Sequence, residues 1–223
     1  MYGKKGRFKL VKFLLTSILL IFFTFMLIIS SIYRSIVNDI EIQNIVNEIQ
    51  SGSNYVQAED ISQIFLDAIV AIEDHRFYKH GAIDLISIAR ATFINIKNKE
   101  IVEGGSTITQ QLVKNLFLNM NQTLERKINE IFIAFELEKL YSKKEILELY
   151  VNVVYYGDGF TGIKSACNGY FNKHPKDLTK DEATLLAGLP QAPSAYALNS
   201  NYEKALERQK QVIEALNNLS ITN

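Results

Sequence analysis

A mainly α-helical domain behind one membrane-crossing helix is the fold class this sequence predicts, and three observations carry it. An uncharged run of 20 residues, Phe13 to Ile32, follows five basic residues. Beyond Ala58, apolar side chains recur at three- and four-residue intervals, the spacing that puts them on one face of a helix. Convincing alternating strands are missing from the same region, where only Val151 to Tyr156 reads as a short extended element. With 223 residues the chain holds one sizeable core and too little for two ordinary domains behind an anchor.

The apolar run comes first. Twenty helical residues span about 30 Å, the thickness of a bilayer's hydrocarbon. Lys4, Lys5, Arg7, Lys9 and Lys12 precede it, so residues 1–12 are expected in the cytoplasm and the body on the far side. The run exceeds a usual signal-peptide core and Ser30-Ser31-Ile32 is a poor cleavage site, which favours an uncleaved anchor over 13–32. Residues 33–57 read as a connector and membrane-proximal segment, and 58–223 as the domain proper.

Within the domain, Ile61, Ile64, Phe65, Ala68, Ile69 and Ile72 predict a helix that brings Glu73 to its C-terminal end. Asp84 predicts a cap for a helix to about Ile96, followed by a charged loop into Gly104-Gly105. Ser106 is expected to open the next helix with its hydroxyl on an early amide, while the glycines permit a close turn. Thr123 predicts another cap, and Ser142 with Glu145 and Thr179 with Glu182 have capping-box spacing. A last helix is expected over Tyr202 to Leu216, burying Ala205, Leu206, Val212, Ile213 and Leu216.

The charge balance narrows the function. Bases and acids number 24 each, but six bases and no acid fall within residues 1–34, leaving a mildly acidic body of about −6. That argues against a nucleic-acid track. Cys167 stands alone and reads as a packed small residue; His75, His80 and His174 are too scattered to read as a zinc site.

Two acids stand out. Glu73 joins an apolar helical face to the polar run Asp74-His75-Arg76, and Glu130 follows Arg126 by four residues and Lys127 by three. Each taken alone is an ordinary surface or ion-paired acid. A general base, however, needs a carboxylate whose surroundings move its pKa toward working pH.

Several ordered blocks carry a resemblance. They are Glu73-Asp74-His75-Arg76-Phe77, the run Gly104-Gly105-Ser106-Thr107-Ile108-Thr109-Gln110-Gln111 through Lys114-Asn115, and Arg126-Lys127-Ile128-Asn129-Glu130. Lys143 through Tyr150-Val151-Asn152, Gly162 through Ala166 to Tyr170-Phe171, and Leu186 through Pro193-Ser194 follow in order. Together they resemble the bacterial peptidoglycan glycosyltransferases, the transglycosylases of glycosyltransferase family 51, in their monofunctional form, over roughly residues 60–205.

That resemblance implies a lysozyme-like helical lobe, a small membrane-proximal lobe, and a groove taking a lipid-linked growing glycan as donor and lipid II as acceptor. It implies Glu73 as the base and Glu130 as a second catalytic glutamate that orients basic residues or a diphosphate-bound divalent ion. Ser106, Thr107, Gln110, Gln111, Lys114, Arg126 and Lys127 are implied donor and pyrophosphate contacts. Asp74, Arg76, Phe77 and His80 are implied supports of the first block. Gly104, Gly105, Tyr150, Asn152, Gly162, Ala166 and Tyr170 are implied structural positions. A divalent cation, Mg2+ or Mn2+, is expected, and no organic cofactor.

Two positions depart from the family pattern. Ala82 stands where a glycine is often found, and Asn129 where a base often precedes the second glutamate. The given sequence runs about 30 residues past the last block, without a Ser-x-x-Lys or Lys-Thr-Gly motif. No transpeptidase domain is therefore expected, and crosslinking would fall to separate penicillin-binding transpeptidases and other cell-wall synthesis proteins. Two other readings fit parts of the sequence: a membrane-bound hydrolase of the same polymer, and a noncatalytic cell-wall scaffold.

Overall fold

The computed structural model describes residues 3–38, 40–100, 104–117 and 123–222 and falls into two compact units, Met1–Glu41 and Ile42–Asn223. Part of the basic N-terminal segment and residues 101–103 of the charged loop lie outside the described residues.

The first unit is dominated by one helix, α1 (Gly3–Asn38), which contains the whole uncharged run. Its large apolar side chains from Phe13 to Ile28 are exposed. By length and composition it is the one helix among the described residues suited to cross a bilayer.

The second unit contains α2 (Ile42–Ser51), α3 (Gln63–Glu73), α4 (Leu85–Asn98), α5 (Ile108–Phe117), α6 (Leu124–Leu140) and α7 (Lys143–Val153). It continues with α8 (Ile163–Phe171), α9 (Lys180–Ala187), α10 (Pro193–Tyr196) and α11 (Tyr202–Thr222). Among the described residues there is no sheet; one isolated bridge joins Tyr155 to Thr161. The extended element expected at Val151 to Tyr156 is therefore corrected: α7 continues through Val153. Leu147, Tyr150 and Val151 fall on one buried helical face, and that burial overrides the β-branched composition.

Helix α3 forms the centre. Phe65, Ala68 and Ile69 are fully buried, and the helix packs against α9 and α11, while α5 packs against α6 and α7. Losing a side chain such as Phe65 would cost about 3–5 kcal/mol through the cavity left behind. The expected caps form at Asp84, Thr123, Ser142 and Thr179, the last two as complete capping boxes. The segment before Ala58 is tied to this unit. Ile42 and Val46 are buried, and Asn152 accepts from the Val56 N–H at 2.9 Å and donates to its carbonyl at 2.8 Å.

Two local expectations shift. The residue that caps α5 is Thr107, not Ser106: the Gln110 N–H donates to Thr107 Oγ1 at 3.2 Å, and the Thr107 N–H donates to Gln110 Oε1 at 3.1 Å. This moves the helix start by one residue and frees the Ser106 hydroxyl. Among the described side chains of α11 the buried ones are Ala205, Arg208 and Val212, with Leu206, Ile213 and Leu216 only half-buried. On α6 Glu130 is buried on the same helix as Ile133, Ala134 and Leu137, while Leu124 and Ile128 are exposed.

Candidate active site

Glu73 is the last residue of α3, and the chain leaves the helix at once through Asp74. This puts the carboxyl at the edge of the core, where it lines a cavity of about 360 Å³ with Gln111, Lys114, Ser106, Arg90 and Arg208. Gln111 Nε2 donates to Glu73 Oε2 at 2.8 Å. The other oxygen, Oε1, is buried without a hydrogen-bond partner. Burial raises the Glu73 pKa above the ordinary carboxylate value, against the opposing pull of the Gln111 hydrogen bond and the charges of Arg208 and Lys114. A carboxyl group with these features suits a proton acceptor better than a fixed ion pair.

The first block supports Glu73 from behind. Asp74 Oδ1 faces His80 Nε2 at 2.8 Å, and its Oδ2 accepts the Ile108 N–H at 3.1 Å, which ties the start of α5 to the end of α3. His80 Nδ1 faces the Gly81 carbonyl at 2.6 Å. With acceptors on both ring nitrogens the imidazole carries both protons. Burial works against that charge, but Asp74 and the Gly81 carbonyl outweigh it and the His80 pKa is raised. Arg76 points elsewhere, donating from Nε to Asp84 at 2.9 Å. Phe77 is fully buried, and Lys143 Nζ lies 4.4 Å from its ring centroid. Ala82, one of the departures from the family pattern, is buried with ordinary backbone torsions. Its carbonyl accepts from Thr107 Oγ1 at 2.8 Å.

Glu130 forms a second centre on α6. Its Oε2 accepts from Arg126 Nη1 at 2.9 Å and its Oε1 from Lys127 Nζ. Lys127 also donates to Ser106 Oγ at 3.1 Å, which links the third block to the second. Gly105 permits a close approach there, since a Cβ would lie 3.1 Å from the Ile88 Cα; Gly104 has open space.

Neither Glu130 nor the Asp74, His80 and Asp84 group offers a divalent ion a free ligand. Both Glu130 oxygens are occupied by cationic side chains. Asp74, His80 and Asp84 approach one another closely enough to hold an ion. Their atoms are already committed, however, Asp84 accepting from Arg76, Ser87 and the Ile86 N–H. An ion there would have to displace protons and hydrogen bonds together.

Of the later blocks, the last brings Pro190 and Gln191 into the lining of the Glu73 cavity. Tyr150 is fully buried and donates to Gln111 Oε1 at 3.0 Å. Gly162 immediately precedes α8 at φ +78°, with room for no side chain because a Cβ would lie 2.5 Å from the Asn152 carbonyl oxygen. Ala166 is buried, and Tyr170 donates to the Tyr156 carbonyl at 3.0 Å. Cys167 is buried, which pushes its thiol up to about 12 and leaves it inert.

Arg208 was not legible in the sequence. It is 8% exposed, lines the Glu73 cavity, and donates from Nη1 to Gln211 at 2.6 Å, while its Nε has no partner. The only available signal was its spacing, three residues after Ala205 and four before Val212, on the buried stripe of α11. A larger cavity of about 430 Å³, lined by Glu59, Tyr78, Lys144, Glu148 and Lys176, contains none of the site acids.

The Transglycosylase family profile matches residues 40–217. The chain is 46% identical over 162 residues to penicillin-binding protein 1A of Aquifex aeolicus, covering 73% of this chain and 22% of that protein. It is 46% identical over 162 residues to penicillin-binding protein 2D of Bacillus subtilis, covering 73% and 23%. To penicillin-binding protein 1A of Neisseria gonorrhoeae it is 44% identical over 159 residues, covering 71% and 20%. The matched region thus spans about a fifth to a quarter of each curated relative. With most of its length matched and Glu73 and Glu130 in one compact unit, the chain belongs to the transglycosylase family, glycosyltransferase family 51.

Proposed function

We propose that this protein polymerises lipid II into β-1,4-linked peptidoglycan strands by inverting glycosyl transfer. The observation that carries the reading is the Glu73 carboxyl, raised in pKa by burial, with Oε1 unpartnered in a cavity shared with Lys114 and Arg208. Glu73 takes the proton of the acceptor sugar's 4-hydroxyl as that oxygen bonds to C1 of the donor's N-acetylmuramyl unit. The bond from C1 to the diphosphate oxygen breaks from the opposite face, and the electron pair leaves with polyprenyl pyrophosphate. Lys114 and Arg126 stabilise the charge that develops on that leaving group, with Lys127 beside them.

Glu130 orients Arg126 and Lys127 for that task. Ser106, Gln110 and Thr107 contribute differently: Ser106 receives Lys127, whereas Thr107 and Gln110 lock the start of α5. The Glu130 carboxylate, the expected partner of a Mg2+ or Mn2+ ion, is committed to Arg126 and Lys127, so no step is routed through a metal.

The cytoplasmic membrane is the proposed location, with α1 as a single-pass anchor. The basic residues ahead of the apolar run support a cytoplasmic N-terminus and an extracytoplasmic catalytic unit. Separate penicillin-binding transpeptidases are the proposed users of the strands, because crosslinking acts on this product.

The test is incubation of the full chain in detergent or bilayers with defined lipid-linked disaccharide-pentapeptide, beside Glu73→Gln. Growth of β-1,4 glycan that is lost in the variant supports the assignment. A folded protein that binds substrate without polymerising it supports the scaffold reading instead, and cutting of preformed glycan supports a hydrolase.

A further inference from the structure

Three side chains from three helices form a chain of hydrogen bonds that ends on Glu73. Tyr150 on α7 donates to Gln111 Oε1 at 3.0 Å, and Gln111 on α5 donates from Nε2 to Glu73 Oε2 at 2.8 Å. Tyr150 is fully buried, and burial holds its phenol well above the ordinary value, so it stays a hydroxyl and a donor.

A primary amide can face Glu73 with either end. Facing it with Oε1 would set two acceptors against each other while Glu73 is ionised. The Tyr150 hydroxyl, aimed at Oε1, favours the end that presents N–H to the carboxylate. We propose that Tyr150 is a positioning residue for catalysis, acting through Gln111. It holds the amide so that Glu73 Oε2 is occupied, and Oε1, which has no donor, is the oxygen left to take the proton.

The inference rests on the glycosyltransferase reading for its catalytic consequence, but not for the hydrogen-bond chain itself. Other charges also bear on Glu73. Asp74 and His75 adjoin it, Lys114 comes from α5, and Arg208 comes from α11. Arg90 of α4 lines the same cavity, and the Tyr150 and Tyr156 phenols feel the Glu73 charge. Helix α9, also packed on α3, carries charges only at Lys180, Asp181 and Glu182. Tyr150→Phe alters none of these charges and removes one hydroxyl from a buried site.

The full chain in detergent is assayed on the lipid-linked disaccharide-pentapeptide as wild type, Tyr150→Phe, Gln111→Ala and the double variant. Tyr150→Phe is expected to lower kcat about tenfold with KM within about twofold, and to move the acid limb of kcat/KM upward. The double variant is expected to be no slower than Gln111→Ala alone, because the hydroxyl acts only through the amide. Multiplying losses in the double variant, or wild-type kcat and acid limb in Tyr150→Phe, would overturn the proposal. Carbon NMR titration of the labelled Glu73 carboxyl reads the same relay without turnover. An upward shift in Tyr150→Phe supports the relay even if wild type fails to polymerise, a failure that would count against the glycosyltransferase reading alone; an unmoved titration overturns the relay.

Discussion

Arg126 Nη1 lies 2.9 Å from Glu130 Oε2, one helical turn along α6, and Lys127 occupies the other oxygen of the same carboxylate. The Glu130 side chain is 3% exposed, so removing it would leave the mostly buried Arg126 and the more exposed Lys127 without their anchor. Glu130→Gln is expected to slow polymerisation by about 10²–10³-fold, the scale of losing an aligned stabiliser of transition-state charge. The variant should respond to EDTA by the same factor as wild type. Disappearance of the EDTA response in the variant alone would make Glu130 a metal ligand and refute its role as an anchor for the two bases.

The pH profile should report Glu73. Its folded pKa lies above 4.5 because burial disfavours the charged form, and only the carboxylate can accept a proton. Activity should therefore fall as pH drops through a value above the ordinary carboxylate range. Arg208→Met removes a positive charge that holds this pKa down, so its acid limb of kcat/KM should lie at higher pH, with activity recovering in alkaline buffer. Arg208→Lys should lie between the two. Equal limbs in all three proteins would remove Arg208 from the electrostatics of the site.

His80 links stability to pH in the opposite sense from an acid. Its folded pKa is raised above 6.5 by Asp74 and the Gly81 carbonyl, against the cost of burial. Its contribution is fully present below the unfolded value near 6.5 and is lost as pH rises through the folded value. Urea denaturation of wild type and His80→Gln across pH 5–9 should show the largest stability difference at the acid end. A difference that grows with pH would contradict the charged-imidazole assignment.

Two glycines give a steric comparison. Gly162 and Gly159 both have positive φ, +78° and +86°, but only at Gly162 would a Cβ meet a backbone atom, the Asn152 oxygen at 2.5 Å. Gly159→Ala should cost about 1–2 kcal/mol, the torsional penalty alone. Gly162→Ala should cost clearly more, on the order of 3 kcal/mol or above, because α7 and α8 must separate to admit the methyl group. Thermal unfolding of the two full-length variants beside wild type checks the order; equal destabilisation would show that the α7–α8 contact yields freely.

The sequence by itself determined much of the local structure of this protein. The apolar run of α1 was visible because a membrane-spanning helix needs only length and the absence of charge. The caps at Asp84, Thr123, Ser142 and Thr179 were visible because each is a contact within three residues. Glu73 could be placed at a helix end because the apolar period stops there.

Tertiary structure decided whatever depends on burial between distant segments. Tyr150 and Gln111 are separated by 39 positions, and nothing local to either residue announces their hydrogen bond. Arg208 joins the Glu73 cavity only because α11 packs on α3 and α9. Val151 to Val153 looked extended until the buried face of α7 claimed them. The physical reason is common to these cases: helix propensity and capping act over one turn, whereas desolvation and side-chain satisfaction depend on which surfaces meet, and those meetings are fixed by the whole core.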